Sequence, residues 1–398
     1  MGLGHRDGGG RVLEDLSDGG GLDGDRRNNF DFLRFVAASL VLFSHSYPLL
    51  GRSDEPFGAF LGYESGGGIA VAMFFVISGY LVTGSFLRSR GIGEYVKKRS
   101  LRLLPALCVV VVLSAFAMGP LLSALNVREY VQHPQTWLYL RNCALYIGYS
   151  LPGVFADNPY PHAVNGSLWT LPVEGVMYLL VLGLGWRKSL NPLTLAAAIT
   201  GLGVFQFLLI DSLGLSNAVW GNLFLVPASA KLGLFFLSGA FLYVTRKRIA
   251  MRNPIAWTML AALLGTVHTP IGPFIFQCTL PYLTIWIAFA NVSWMNRFGR
   301  YGDFSYGIYL YAFPVQQTLV HMFGIMSVPR FAGLAFAVTL LLAAASWHCV
   351  EKPALAWKTR RVRLARSPLS MDVVEDGLGT PGAAAGKEPV HEARGRAA

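Results

Sequence analysis

Three ionisable residues interrupt an otherwise apolar stretch early in the chain: Asp31, Arg34 and His45 within NFDFLRFVAASLVLFSHSYPLL, residues 29–50. Ionisable groups at membrane depth are costly and read as functional by default. Arg34 and His45 lie about three helical turns apart, so they share nearly one face, with roughly 16 Å of axial rise between them. Asp31 falls on that face too. The stripe must therefore face protein or water rather than lipid.

His45 lies about five residues from the outer end of this helix. Glu174, in SLWTLPVEGVMY, sits about six residues into a later apolar segment that enters from the same side. A carboxylate beside an imidazole orients it and raises its basicity, which suits a general base acting on a hydroxyl. The bland alternative is that each satisfies a separate polar contact between helices, and Asp31 is a second acid that could partner His45. At the inner end, YVKKRSLRLLP places Arg99 and Arg102 one turn apart on one face. Arginine pairs suit phosphate or carboxylate, although basic membrane anchors look the same. With Arg34 they outline a vestibule in which an anionic cytosolic ligand binds while its reactive group reaches towards His45.

Other polar residues more often tie helices together than react. They are Ser78 and Tyr80 in FFVISGYL, Asn165 and Ser167 before Trp169, and Ser305, Tyr306 and Tyr309 in FSYGIYLY. Glu351, in HCVEKPAL, reads as a structural ion pair with a loop arginine. Lys231, His268 and His321 are lone pathway or snorkelling residues.

The elements that must position these groups follow from composition. The 398 residues are 53% hydrophobic and 14% charged, too few charges for a soluble enzyme of this length. About ten stretches are long enough to span a bilayer: 30–50, 68–87, 103–125, 168–186, 192–211, 222–244, 255–271, 274–291, 305–323 and 331–350. The fold class expected is all-α, a polytopic integral membrane protein. The net charge of +11 comes from Lys and Arg gathered in short clusters between apolar runs, which is the pattern of cytoplasmic loops rather than of nucleic-acid binding. With both termini cytoplasmic, the clusters from Arg88 to Arg102, Arg187 and Lys188, Arg246 to Arg252, Arg297 and Arg300, and Lys352 to Arg366 all fall inside. Outside are Arg52, Arg128, Arg141 and Arg330.

Residues 1–28 and 356–398 are expected to be cytoplasmic tails, the second basic and then disordered, flanking a membrane domain over 29–355. No cleavable signal peptide is visible. The outer loop 126–167 is long enough to be functional or to hold short helices, and its aromatics could equally form an interfacial belt. Gly66, Gly67 and Gly68 read as the start of the second helix rather than a phosphate cradle. Cys108, Cys143, Cys278 and Cys349 lack metal-ligand spacing and read as packing residues; no metal is expected.

Taken together, FDFLRFVAASLVLFSH, FFVISGYL, Arg99-x-x-Arg102 with Leu103 and Pro105, SLWTLPVEGVMY, FSYGIYLY and the final VEKP resemble the membrane acyltransferase-3 family. That family includes O-antigen, exopolysaccharide and nodulation-factor O-acetylases. The resemblance covers about residues 29 to 355. It implies transfer of an acyl group, usually acetyl, from cytosolic acetyl-CoA to a sugar hydroxyl, with a glycan or lipid-linked saccharide as acceptor, in the plasma (bacterial inner) membrane. It matches Arg34 and His45 to the essential Arg and His, Arg99 and Arg102 to the pair serving the CoA donor, and Glu174 to the fourth-span acid. Where many members carry a second His after the SYxxYL motif, this chain has Ala312, Phe313 and Pro314. The reading is therefore an O-acyltransferase with His45 as base, supported by Glu174 or Asp31, and Arg34, Arg99 and Arg102 holding phosphates; an acyl-His intermediate stays open. The competing reading is a transporter or flippase of a lipid-linked sugar using the Asp31, Arg34 and His45 stripe as its pathway.

Overall fold

The structure is a computed structural model that describes residues 11–12, 28–207 and 225–357, all within one compact unit, Met1–Lys358. The expected tails over 1–28 and 356–398 lie outside the described residues, save for 11–12, 28 and 356–357. Helices dominate. The principal ones are α1 (Phe30–Leu49), α2 (Gly66–Leu87), α3 (Ile92–Leu113), α4 (Thr170–Trp186), α5 (Pro192–Val204), α6 (Leu225–Val244), α7 (Asn253–Gly265), α8 (Gly272–Ala288), α9 (Ser305–Phe323) and α10 (Val328–Ser346). The strand content of the described residues is one antiparallel pair of two-residue strands, β1 (Arg11–Val12) and β2 (Ala250–Met251).

Each expected span coincides with a helix, yet five helical stretches are long and apolar enough to cross a membrane. The count rises to six if α8 and the segment Ser293–Tyr301, bent from it by 83°, form one broken span. Among the ten expected spans, 192–211 and 255–271 correspond to the shorter helices α5 and α7, and 208–211 lies outside the described residues. In α9 the reason for falling short is visible: Gln316 and Gln317 are fully buried and lower its hydropathy, as suits a helix enclosed by others. The third helix begins at Ile92, well before the expected 103. Its first turns are charged and stabilised by the Glu94–Lys98 pair at 2.6 Å, so hydropathy sees only the apolar half.

Helices α2 and α6 make the closest approach. A Cβ on Gly79 would collide with the backbone carbonyl of Phe236, and one on Gly239 with that of Val76. Small residues at matching positions let the two backbones meet, which is how apolar helices gain packing where water supplies no drive. Gly307 does the same for α9 against Ala343 of α10. Helix α2 starts at Gly66, with the Ser65 hydroxyl accepting the Gly68 N–H and Glu55 accepting the Gly66 N–H, so the glycine run is a helix start as expected. The loop 126–167 holds short helices, Val127–Gln132, Pro134–Leu138 and the 3₁₀ turn Tyr139–Ala144.

Candidate active site

The centre of the site is Asp303, in the turn before α9. Its Oδ1 accepts the N–H of Ser305 at 3.2 Å and the Ser305 hydroxyl, fixing the start of the helix. Its Oδ2 receives Arg34 from α1 at 2.8 Å and Arg102 from α3 at 2.5 Å. Burial alone would raise the carboxyl's pKa, but Arg102, Arg34 and the two Ser305 donors outweigh it and hold Asp303 well below the usual carboxylate range. Arg102 also lies 3.7 Å from Glu351 and over the ring of Tyr306 at 5.6 Å. Glu351 is thus a structural ion pair as expected, but with an arginine of a helix rather than of a loop.

These residues border a cavity of about 860 Å³, within the range of about 300–1,000 Å³ typical of small-molecule sites. Asp31, Arg34, Arg99, Arg102 and Glu174 all line it, which brings five of the six expected site residues together. Seven Arg and Lys side chains line it against three Asp and Glu. Arg99 donates to the Ser85 hydroxyl at 3.2 Å and stacks over Tyr178 at 5.7 Å.

Glu174 accepts hydrogen bonds from the hydroxyls of Tyr178 and of Ser78, the latter at 3.4 Å. The stretch FFVISGYL of α2 therefore has two jobs: Gly79 packs α2 on α6 while Ser78 faces the cavity. Beyond Glu174, Thr170 and Tyr309 share a hydrogen bond of 2.6 Å, and the Tyr309 hydroxyl also reaches the Ser167 carbonyl at 2.8 Å. Asn165 ties the same corner to the Leu310 carbonyl at 2.9 Å.

His45 is outside this lining. Its ring meets Phe313 edge-on at 5.4 Å, one turn along α9 from the cavity-lining Tyr309. Four residues are about 6 Å of rise, which separates Phe313, the contact of His45, from Tyr309 along α9. Its Nδ1 is buried with no hydrogen-bond partner. Such an atom costs about 1–3 kcal/mol and calls for an incoming partner. On the next residue, Ser46 takes a hydrogen bond from Gln316 at 2.9 Å, and Gln316 also donates to the Leu42 carbonyl at 2.9 Å, which fixes α1 to α9 around the imidazole. Of the two acids offered as partners of His45, Glu174 has its carboxylate turned to Tyr178 and Ser78 on the cavity side.

Asp303, Tyr178 and Thr170 were not singled out from sequence. Asp303 stands two residues before Ser305, a spacing that reads as an ordinary helix cap and so conceals its second role. No group of His, Cys, Asp and Glu suited to a metal occurs among the described residues.

A family model described as an acyltransferase domain matches residues 27–348. Similar proteins include an "O-acetyl transferase" of Shigella phage Sf6, 33% identical over 85% of this chain and 99% of its own length. "Nodulation protein 10" of Rhizobium leguminosarum bv. viciae is 29% identical over 84% of this chain and 95% of its own length. "Peptidoglycan O-acetyltransferase OatA" of Listeria monocytogenes is 27% identical over 73% of this chain, which spans 52% of that protein. No solved structure matches.

Proposed function

The chain belongs to the acyltransferase-3 family and is an acyltransferase; on that premise we propose that it moves an acetyl group from acetyl-CoA to a hydroxyl of a cell-surface or secreted glycan. It does so as a multi-pass protein of the bacterial inner membrane, with about ten spans, both termini cytoplasmic and the membrane domain over residues 29–355. The names of the Sf6 and Listeria relatives support O-acetylation, and the second supports a glycan acceptor. The basic clusters between apolar runs support the orientation.

The observation that carries the reading is the cation-lined cavity, which Arg34, Arg99 and Arg102 share with Glu174, Thr170 and Tyr309; Tyr309 is one turn along α9 from Phe313, the residue that meets His45. A thioester donor bound by its phosphates at the arginine end would direct its acyl carbon towards His45. There the imidazole takes the proton of the acceptor hydroxyl as its oxygen attacks the thioester carbonyl. The C–S bond breaks, and the imidazolium returns the proton to the departing thiolate. Glu174 acts through Tyr178 and Ser78 on the shape and charge of the cavity. Asp31 lines the cavity beside Gly299, and on this reading it orients the vestibule.

Acetyl-CoA hydrolysis and transfer by purified protein and His45→Ala, with CoA binding measured in parallel, test this. Turnover lost while CoA still binds supports the assignment. Absence of CoA binding and of thioester consumption by the unaltered protein overturns the donor.

A further inference from the structure

The cations of the cavity are not equivalent. Arg34 and Arg102 are engaged by Asp303, and Lys98 by Glu94. Arg297 and Arg300 also line the cavity and are exposed, and no ion pair with either occurs among the described residues. Arg300 rests on its neighbour Tyr301, 4.5 Å from the ring centre.

Both belong to the segment Ser293–Tyr301, which leaves α8 at 83°. Its seat on α1 is fixed. Phe298 packs against Phe35 at 4.9 Å and Phe32 at 5.6 Å, and Gly299 fits so closely under Asp31 that a Cβ would collide with the carboxylate. Trp294 joins this seat edge-on to Phe32 at 4.9 Å, and it and Tyr301 remain 60% exposed, as befits aromatic residues of a segment lying along a membrane surface. Two guanidinium groups are thereby held at the cavity lining with no ion pair to either among the described residues.

On the reading of the donor as acetyl-CoA, which this inference rests on, the ligand carries two anionic groups. The diphosphate lies between pantetheine and adenosine, and the ribose 3′-phosphate stands farther from the thioester. With the thioester directed to Glu174 and Tyr309, the nucleotide is left to the cations of the lining, of which Arg297 and Arg300 are exposed and carry no ion pair among the described residues. A phosphate monoester carries about 1.5 to 2 negative charges and suits two guanidinium groups. We propose that Arg297 and Arg300 bind the 3′-phosphate of the donor, making Ser293–Tyr301 the element that distinguishes CoA from 3′-dephospho-CoA.

The test is the affinity of the full chain in detergent for CoA and for 3′-dephospho-CoA, before and after the double substitution Arg297→Ala, Arg300→Ala. The unaltered protein is expected to prefer CoA by about tenfold. The double variant is expected to bind both at the level of the dephospho form, with the same thermal unfolding as the parent. Lys substitutions at both positions are expected to restore part of the preference. An unaltered protein that binds both equally, or a variant that keeps the preference or loses affinity for both alike, overturns the role of these arginines while leaving the donor in place. Failure of the unaltered protein to bind either ligand overturns the donor itself.

Discussion

Arg34 and Arg102, from different helices, end on the same oxygen of Asp303, at 2.8 and 2.5 Å. One carboxylate thus holds α1, α3 and the start of α9 together at the arginine end of the cavity. Removing one member of such a buried set leaves charge without compensation, which costs far more than the set contributes as a whole. Asp303→Asn is therefore expected to destabilise the protein by about 3–5 kcal/mol. Thermal unfolding in detergent would show it, and a loss below about 1 kcal/mol would mean that Glu351 alone suffices for Arg102.

The same carboxylate fixes a pH dependence. Its folded-state pKa is depressed well below the usual range, so its contribution is fully present above the unfolded value, about 3.9. That contribution declines only as pH falls below that value and towards the folded one. The difference in unfolding temperature between wild type and Asp303→Asn is expected to shrink below about pH 4. A difference that closes between pH 7 and 5 would show that another group controls the cluster.

Two glycines make opposite predictions. Gly79→Ala places a methyl group against the Phe236 backbone and is expected to cost about 1–3 kcal/mol. Gly183→Ala, with nothing within 4 Å of the new Cβ, is expected to be neutral or to gain up to about 1 kcal/mol from helix propensity. Equal unfolding temperatures for the two variants would remove the close-packing account of α2 and α6.

Glu174→Gln keeps a carbonyl oxygen for the Tyr178 and Ser78 hydroxyls and removes the charge. Turnover is expected to fall by about tenfold with the pH–rate profile unchanged in shape, whereas His45→Ala should lose about 10²–10⁴-fold. A Glu174→Gln profile shifted along the pH axis would instead support direct coupling to the imidazole.

The sequence reading located every principal helix and most of the cavity, since apolar length and ionisable residues in apolar runs are local signals. It misjudged the start of α3, because the residues from Ile92 to Arg102 are helical but charged, and hydropathy does not register a helix that continues past the apolar layer. Matching depth offers Glu174, beside Asp31, as a partner for His45. Depth along two helices says nothing about rotation, and the rotation of α4 turns Glu174 towards Ser78 and Tyr178. Asp303 was missed because its partners are 269 and 201 residues away in the chain, and nothing beside it in sequence announces them. The interior glycines of FFVISGYL and FSYGIYLY could be noticed, but which backbone each one admits becomes visible only once α6 and α10 are in place.

The backbone contacts of Gly79 with Phe236 and of Gly239 with Val76 also have a mechanical meaning. Carbonyls and glycine faces in direct apposition leave α2 no clearance to slide or roll on α6, so the wall that carries Ser78 and Ser85 behaves as a stator. The facing wall is attached differently, through the sharp turn after Ala288 and the aromatic seat of Phe298. A spin-label distance across the stator, between positions 89 and 247, is accordingly expected to stay constant on donor binding, and a change in it would show that α2 moves on α6.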